Sequence, residues 1–251
     1  MNITFKKEID DLKAQIALKF KDEEDISDEI EAFSVSNRFI KITSNCVRCD
    51  LCVVECPVNA IDKSNAMKPV KITDSCVKCD ICSQTCPVGC IKVFNVISSI
   101  DDDGVSYNIK NIKIPHRIVR MKSIKVNFLA CSSCGDCVDF CPTSAIKFEK
   151  GKTAKIDEKS CIGCGSCVNL CPPGAITLER ELGQIIKIKK LNTDNEACVE
   201  CFMCEDNCPM GAIKIMDGNI HLDENKCILC DVCSAKCPVG ALKLECVNNE
   251  S

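Results

Sequence analysis

Twenty-four cysteines of this chain recur in one fixed spacing. Cys46, Cys49, Cys52 and Cys56 stand in CVRCDLCVVECPVNAI, and Cys76, Cys79, Cys82 and Cys86 in CVKCDICSQTCPVGCI. The run returns with Cys131, Cys134, Cys137 and Cys141, with Cys161, Cys164, Cys167 and Cys171, with Cys198, Cys201, Cys204 and Cys208, and with Cys227, Cys230, Cys233 and Cys237. All six copies read C-x2-C-x2-C-x3-C-P and use 24 of the 26 cysteines, leaving Cys90 and Cys246. Three thiolates on such a tight loop reach three irons of a [4Fe–4S] cube, and the fourth cysteine of the run ligates the other cube of a pair. A zinc ribbon joins two C-x2-C hooks across about 15 to 20 residues and has no role for the third cysteine or the Cys-Pro. Thioredoxin-like chemistry needs one C-x-x-C beside a βαβ pattern, not six runs of four. The spacing points to iron–sulfur binding, with zinc and redox thiols as the competing readings.

The steps between first cysteines sort the six runs into pairs. They are 30 residues from Cys46 to Cys76, 30 from Cys131 to Cys161 and 29 from Cys198 to Cys227, against 55 from Cys76 to Cys131 and 37 from Cys161 to Cys198. Ligation across each pair then gives six sets. Centre one takes Cys46, Cys49, Cys52 and Cys86, and centre two Cys76, Cys79, Cys82 and Cys56. Centre three takes Cys131, Cys134, Cys137 and Cys171, and centre four Cys161, Cys164, Cys167 and Cys141. Centre five takes Cys198, Cys201, Cys204 and Cys237, and centre six Cys227, Cys230, Cys233 and Cys208. No catalytic residues are expected: no serine, histidine and carboxylate set presents itself, and no Gly-rich phosphate loop is present for flavin or nicotinamide.

These loops need short elements to hold them. Behind each Cys-Pro a helical turn is expected, since Pro suits a first helical position. Between paired motifs lie two short apolar segments and a turn. In the third pair these are 212–215, Asp217-Gly218 and 220–222, and in the second 146–148, a turn near Gly151 and 153–156. Asp-Gly is a strong hairpin signal. Each pair therefore reads as two copies of strand, cluster loop, short helix and strand, an α+β unit. Each such unit resembles the two-cluster bacterial-type ferredoxin, and the whole chain resembles the polyferredoxins, best known from methanogenic archaea. The resemblance covers residues 38–94 and 125–246.

The expected organisation is a helical N-terminal arm at 1–37, ferredoxin unit one at 38–94, a linker or hairpin insertion at 95–124, unit two at 125–182, and unit three with a short tail at 183–251. In the arm, Phe5, Ile9, Leu12 and Ile16 follow helical spacing, and Ile26, Ile30 and Phe33 suggest a second short helix. The arm either packs on its own chain or docks on a partner. Segments 105–114 and 117–128, flanking Pro115, read as the two arms of the inserted hairpin.

Composition fits the same reading. The 251 residues include no Trp, one Tyr (Tyr107) and nine Phe, so aromatics cannot supply much of a core. With clusters replacing apolar area, metal binding and folding are expected to be coupled. Val47, Leu51, Ile81, Val138, Ile162 and Leu229 are expected to pack over the cubes and keep water away. The charged N-terminus MNITFKKEIDDLKAQ has no apolar signal region, so a cytoplasmic protein is expected. No apolar run is long enough to span a membrane. The net charge of −4 gives no reason to expect nucleic acid. With 24 thiolates and six oxidised cores the total falls to roughly −16, which favours basic docking surfaces.

The remaining residues are minor. Cys90 stands where Ala60, Ala145, Ala175 and Ala212 stand in other copies, either as a small buried thiol or as a spare ligand. Cys246 reads as a free thiol in a hydrophilic tail. His116 and His221 lie outside the motifs and are not needed as ligands. Asp50, Asp80 and Asp231 follow second cysteines where other copies have Gly135, Gly165 or Phe202. They either make their cubes harder to reduce or are solvated loop carboxylates. Six fully ligated cubes form an electron path. The resemblance implies partners such as an energy-converting or other [NiFe] hydrogenase, or formylmethanofuran dehydrogenase. A freely diffusing multi-electron carrier is the alternative.

Overall fold

Strands of a few residues and helices of four or five residues carry the chain between its cysteine loops. The computed structural model describes residues 33–101 and 104–246. The described chain falls into two compact bodies, 33–39 with 94–112, and 40–93 with 113–246. A three-stranded sheet is ordered β1 (Phe33–Ile42), β4 (Ile91–Asp101), β5 (Gly104–Ile112). The arm helices up to residue 32 lie outside the described residues. Phe33 opens a strand rather than closing a helix, because Phe33, Val35, Phe39 and Ile40 bring the β-branched and aromatic content that suits a strand.

The larger body holds three similar modules. In module one, β2 (Ile61–Asp62) pairs antiparallel with β3 (Lys71–Ile72), between α1 (Leu51–Val54) and α2 (Ile81–Thr85). Module two has an outer pair, β6 (Val119–Val126) with β9 (Ile176–Leu182), and an inner pair, β7 (Ile146–Lys147) with β8 (Lys155–Ile156). Its helices are α3 (Asp136–Asp139) and α4 (Ser166–Asn169). In module three β10 (Lys189–Thr193) pairs with β13 (Leu242–Cys246), and β11 (Ile213–Met216) with β12 (Asn219–Leu222). Its helices are α5 (Met203–Asp206) and α6 (Val232–Lys236). The elements are small helices and small antiparallel sheets, as in ferredoxin-type repeats.

The Asp217-Gly218 turn has φ of 51° and 76°, the double left-handed geometry of a two-residue hairpin. The inserted hairpin differs from expectation. Segment 105–114 supplies β5, which neighbours β4, while 117–128 supplies β6, whose partner is β9. Burying Ile124 against Ile176 in the core of module two outweighs pairing across Pro115. Cys246 also differs: it closes β13 in register with Lys189, inside the outer sheet of module three and not in a tail.

Each module has its own small core in which cysteines count among the apolar side chains. Cys52, Cys82, Cys86 and Cys90 join Ile61, Val70 and Ile91 in module one. Cys137 and Cys167 join Ile124, Ile146 and Ile176 in module two. Cys204 and Cys233 join Leu191, Ile213, Ile215, Ile220 and Leu242 in module three. Ile213 is among the largest fully buried side chains. We expect Ile213→Ala to destabilise the loaded protein by about 2–5 kcal/mol, read as a lower denaturation midpoint under anaerobic conditions. The exposed Met216→Ala should change it by no more than about 0.5 kcal/mol.

Candidate metal centres

Each motif is shaped by left-handed residues at fixed places. Between the first and second cysteines stand Arg48, Lys78, Ser133, Gly163, Glu200 and Leu229, all at φ between 54° and 67°. After the second cysteine stand Asp50, Asp80, Gly135, Gly165, Phe202 and Asp231, at φ from 54° to 89°. Alternating left-handed residues turn the chain so that successive backbone N–H groups face one concave side, a shape suited to an anion. Asp and Gly tolerate this conformation better than most residues, which explains five of the six residues at the second position. Phe202 adopts it without that advantage.

The helix in each motif carries the third cysteine and ends before the fourth; α1, for example, spans Leu51–Val54 and contains Cys52. This corrects the expectation of a helix opening behind the proline. Pro57 instead follows Cys56 in a turn closed by Asn59 N–H donating to the Cys56 carbonyl at 3.2 Å, and Pro suits the second position of such a turn. A third left-handed residue follows: Asn59, Gly89, Ser144, Gly174, Gly211 or Gly240. It aims the next N–H back at the fourth cysteine. Ala60, Cys90, Ala145, Ala175, Ala212 and Ala241 donate to the sulfurs of Cys56, Cys86, Cys141, Cys171, Cys208 and Cys237 at 3.2–3.3 Å. The six donors are buried, so the residue must be small. Neither the left-handed triplet nor this bond was part of the sequence expectation, although Gly and Ala at fixed offsets carried the signal.

The folded motifs line five open hollows. One is lined by Cys46, Cys49, Cys52 and Cys86, with Val47, Val70 and Cys90. The next is lined by Cys56, Cys76, Cys79 and Cys82. In module two one hollow gathers Cys131, Cys134, Cys137 and Cys171, and the other Cys141, Cys161, Cys164 and Cys167 with Ile162. In module three Cys208, Cys227, Cys230 and Cys233 share a hollow with Leu229. Cys198 and Cys237 pack with Cys204 in the core of that module. Leu51 and Ile81 are fully buried at the starts of α1 and α2.

The donor chemistry fits iron–sulfur cubes. None of the 25 cysteines whose side chains are described is disulfide-bonded. Burial pushes the Cys49 thiol up to about 11, with the neighbouring Cys164 and Cys86 charges adding to it. Burial likewise pushes Cys79, Cys167 and Cys233 up to about 12, and raises Cys52 and Cys82 further. A positive core favours the thiolate form of such buried ligands.

Cys90 departs from the pattern in a definite way. Its sulfur lies 3.4 Å from that of Cys86. Its contact lowers the Cys46 and Cys86 thiols to about 6, while its own is raised. The buried aspartates are also tied. Asp50 Oδ1 accepts from the Ser64 backbone N–H at 3.0 Å and from its hydroxyl at 2.6 Å. Asp80 faces Lys189 at 2.8 Å, with 0% and 4% side-chain exposure. Only Asp231 is a solvent-exposed loop carboxylate.

Known proteins share these features. Residues 130–175, 160–212 and 197–241 each match a 4Fe-4S dicluster domain, residues 68–142 match a second dicluster family, and residues 39–62 match a 4Fe-4S binding domain. An uncharacterized polyferredoxin-like protein of Methanocaldococcus jannaschii is 50% identical over 186 residues, 74% of each chain. The thiol-lined hollows, the repeated dicluster matches and this relative together place the chain in the polyferredoxin family, as an iron–sulfur electron-transfer protein.

Proposed function

We propose that the six cysteine sets hold six [4Fe–4S] cubes, each bound by three cysteines of one motif and the fourth cysteine of its pair. The carrying observation is that in five of the six sets the four cysteines line one hollow. Each cube moves one electron, and the apolar lining excludes water, one of the influences on its potential. The protein acts as a low-potential wire between redox modules. Its partners are redox enzyme subunits, and we assign it to a cytoplasmic complex of the energy-converting hydrogenase or formylmethanofuran dehydrogenase type. The similarity to a methanogen polyferredoxin-like protein supports that class of partner. No described helix is long and apolar enough to cross a membrane.

Two outcomes check this reading. Native purification under strict anaerobiosis should recover the chain in stoichiometric amounts with hydrogenase or dehydrogenase subunits. A fully loaded solitary monomer that reduces several enzymes equally well would replace the wire with a mobile carrier. In this reading the Cys90 thiol, 3.4 Å from the sulfur of Cys86, donates to that proposed ligand of centre one, and a donor to a cluster sulfur favours the added electron. Cys90→Ala should therefore lower the potential of centre one alone. One lost hydrogen bond of about 1 kcal/mol corresponds to a few tens of millivolts. Redox titration followed by electron paramagnetic resonance reads the shift.

A further inference from the structure

Contacts between modules fix an order that differs from the order along the chain. Module one meets module two through residues that line their hollows. The hydroxyl of Ser166, in the hollow of centre four, donates to the carbonyl of Val47, in the hollow of centre one. Asn169 of the same helix donates to the Arg48 carbonyl at 2.8 Å and meets Ser64 Oγ at 3.4 Å. The Arg48 guanidinium lies 4.4 Å from the ring centre of Phe140 in module two. Three side chains of module two thus grip the loop that carries Cys46 and Cys49.

The opposite motif of module one meets module three. Asp80, in the hollow of centre two, pairs with Lys189 at the start of β10. Leu191, two residues further on the same buried face of that strand, lines the hollow of centre six. The connector leading to β10 is pinned to α2: Gln84 Nε2 donates to the Ile186 carbonyl at 3.0 Å, and Ile186 N–H donates to Gln84 Oε1 at 2.8 Å. Arg117, just ahead of β6, donates to the Gly183 carbonyl at 2.9 Å and pairs with Glu55 of module one at 2.8 Å. The chain therefore leaves module two along module one before it builds module three.

Inside each module the third cysteines of the two motifs share one core: Cys52 with Cys82, Cys137 with Cys167, and Cys204 with Cys233. We propose that the six centres form one line in the order three, four, one, two, six, five, with module one in the middle and electrons entering and leaving at centres three and five. Exposure of the ligands agrees with these ends. Among the described cysteines, Cys134 of centre three and Cys201 of centre five are the two that are exposed. Exposed apolar side chains flank both, Phe128 and Leu129 beside the first and Val199, Phe202 and Met203 beside the second. Each transfer returns the donor cube to its oxidised state as its neighbour is reduced by one electron. A one-electron donor protein at one end and an acceptor protein at the other complete the balance.

This order rests on the proposed ligation, so iron is counted in every sample before the test is read. Single cysteines replace Met67, Leu129 and Val199, which are 88%, 83% and 59% exposed in modules one, two and three. They are introduced in pairs into the loaded full chain and spin-labelled. The 129–199 distance should exceed both 67–129 and 67–199. A 129–199 distance shorter than either would put modules two and three side by side and overturn the order. The same positions, carrying a bulky polymer label, test the ends by stopped-flow reduction with reduced flavodoxin as donor. Blocking 129 and 199 together should slow reduction several-fold, whereas a label at 67 should leave it unchanged. Equal slowing from position 67 would overturn the assignment of the ends. Samples that fail to retain iron would instead count against the ligation itself.

Discussion

A buried thiol resists ionisation, and every motif of this chain buries its third cysteine in a core. Water solvates the charge poorly there and neighbouring thiolates repel one another, which raises Cys49 to about 11 and Cys79 to about 12. The rest of the architecture answers this constraint. Left-handed residues turn backbone N–H groups inward, six buried small residues donate to the fourth cysteines, and apolar side chains close the rim. The thiol lining of these hollows suits the 4Fe-4S clusters of the matched dicluster domains. That dependence also explains why 251 residues with no Trp can form three separate small cores.

The modules are joined by a different kind of contact. Asp80, Ser83, Gln84, Thr85, Ser166 and Lys189 are buried polar residues, and most of them serve the faces where module one meets its neighbours. Thr85 and Ser83 satisfy backbone carbonyls within module one, whereas Gln84, Ser166, Asp80 and Lys189 bond across modules. A buried ion pair contributes little net stability, yet losing one partner costs about 3–5 kcal/mol. Such a pair therefore specifies which surfaces meet more than it strengthens them. An electron path needs that property, because its geometry must be fixed while its stability comes from elsewhere.

Much of this was legible in the sequence because the chemistry dictates spacing. The motif named the cysteines of each loop, the near-equal steps suggested the pairs, and Asp217-Gly218 marked its hairpin. The failures share a cause: they concern groups whose role depends on distant chain. Asp80 and Asp50 looked alike, yet one meets a lysine 109 positions away and the other a nearby serine. Segment 117–128 alternates as a strand should, but alternation does not name the partner, and β9 lies more than fifty residues on. Lys189 carried no sign of burial, since lysine is ordinarily exposed. The proline misled because Pro fits both a first helical turn and the second place of a β-turn.

The central claim is that every cysteine set holds a whole cube. Iron and acid-labile sulfide, counted per chain in protein prepared anaerobically, test it most directly. The account predicts about 24 of each, with a fall of about four when the cysteines of a single set are replaced. Zinc in place of iron, or a stable folded chain with far fewer irons, would contradict it.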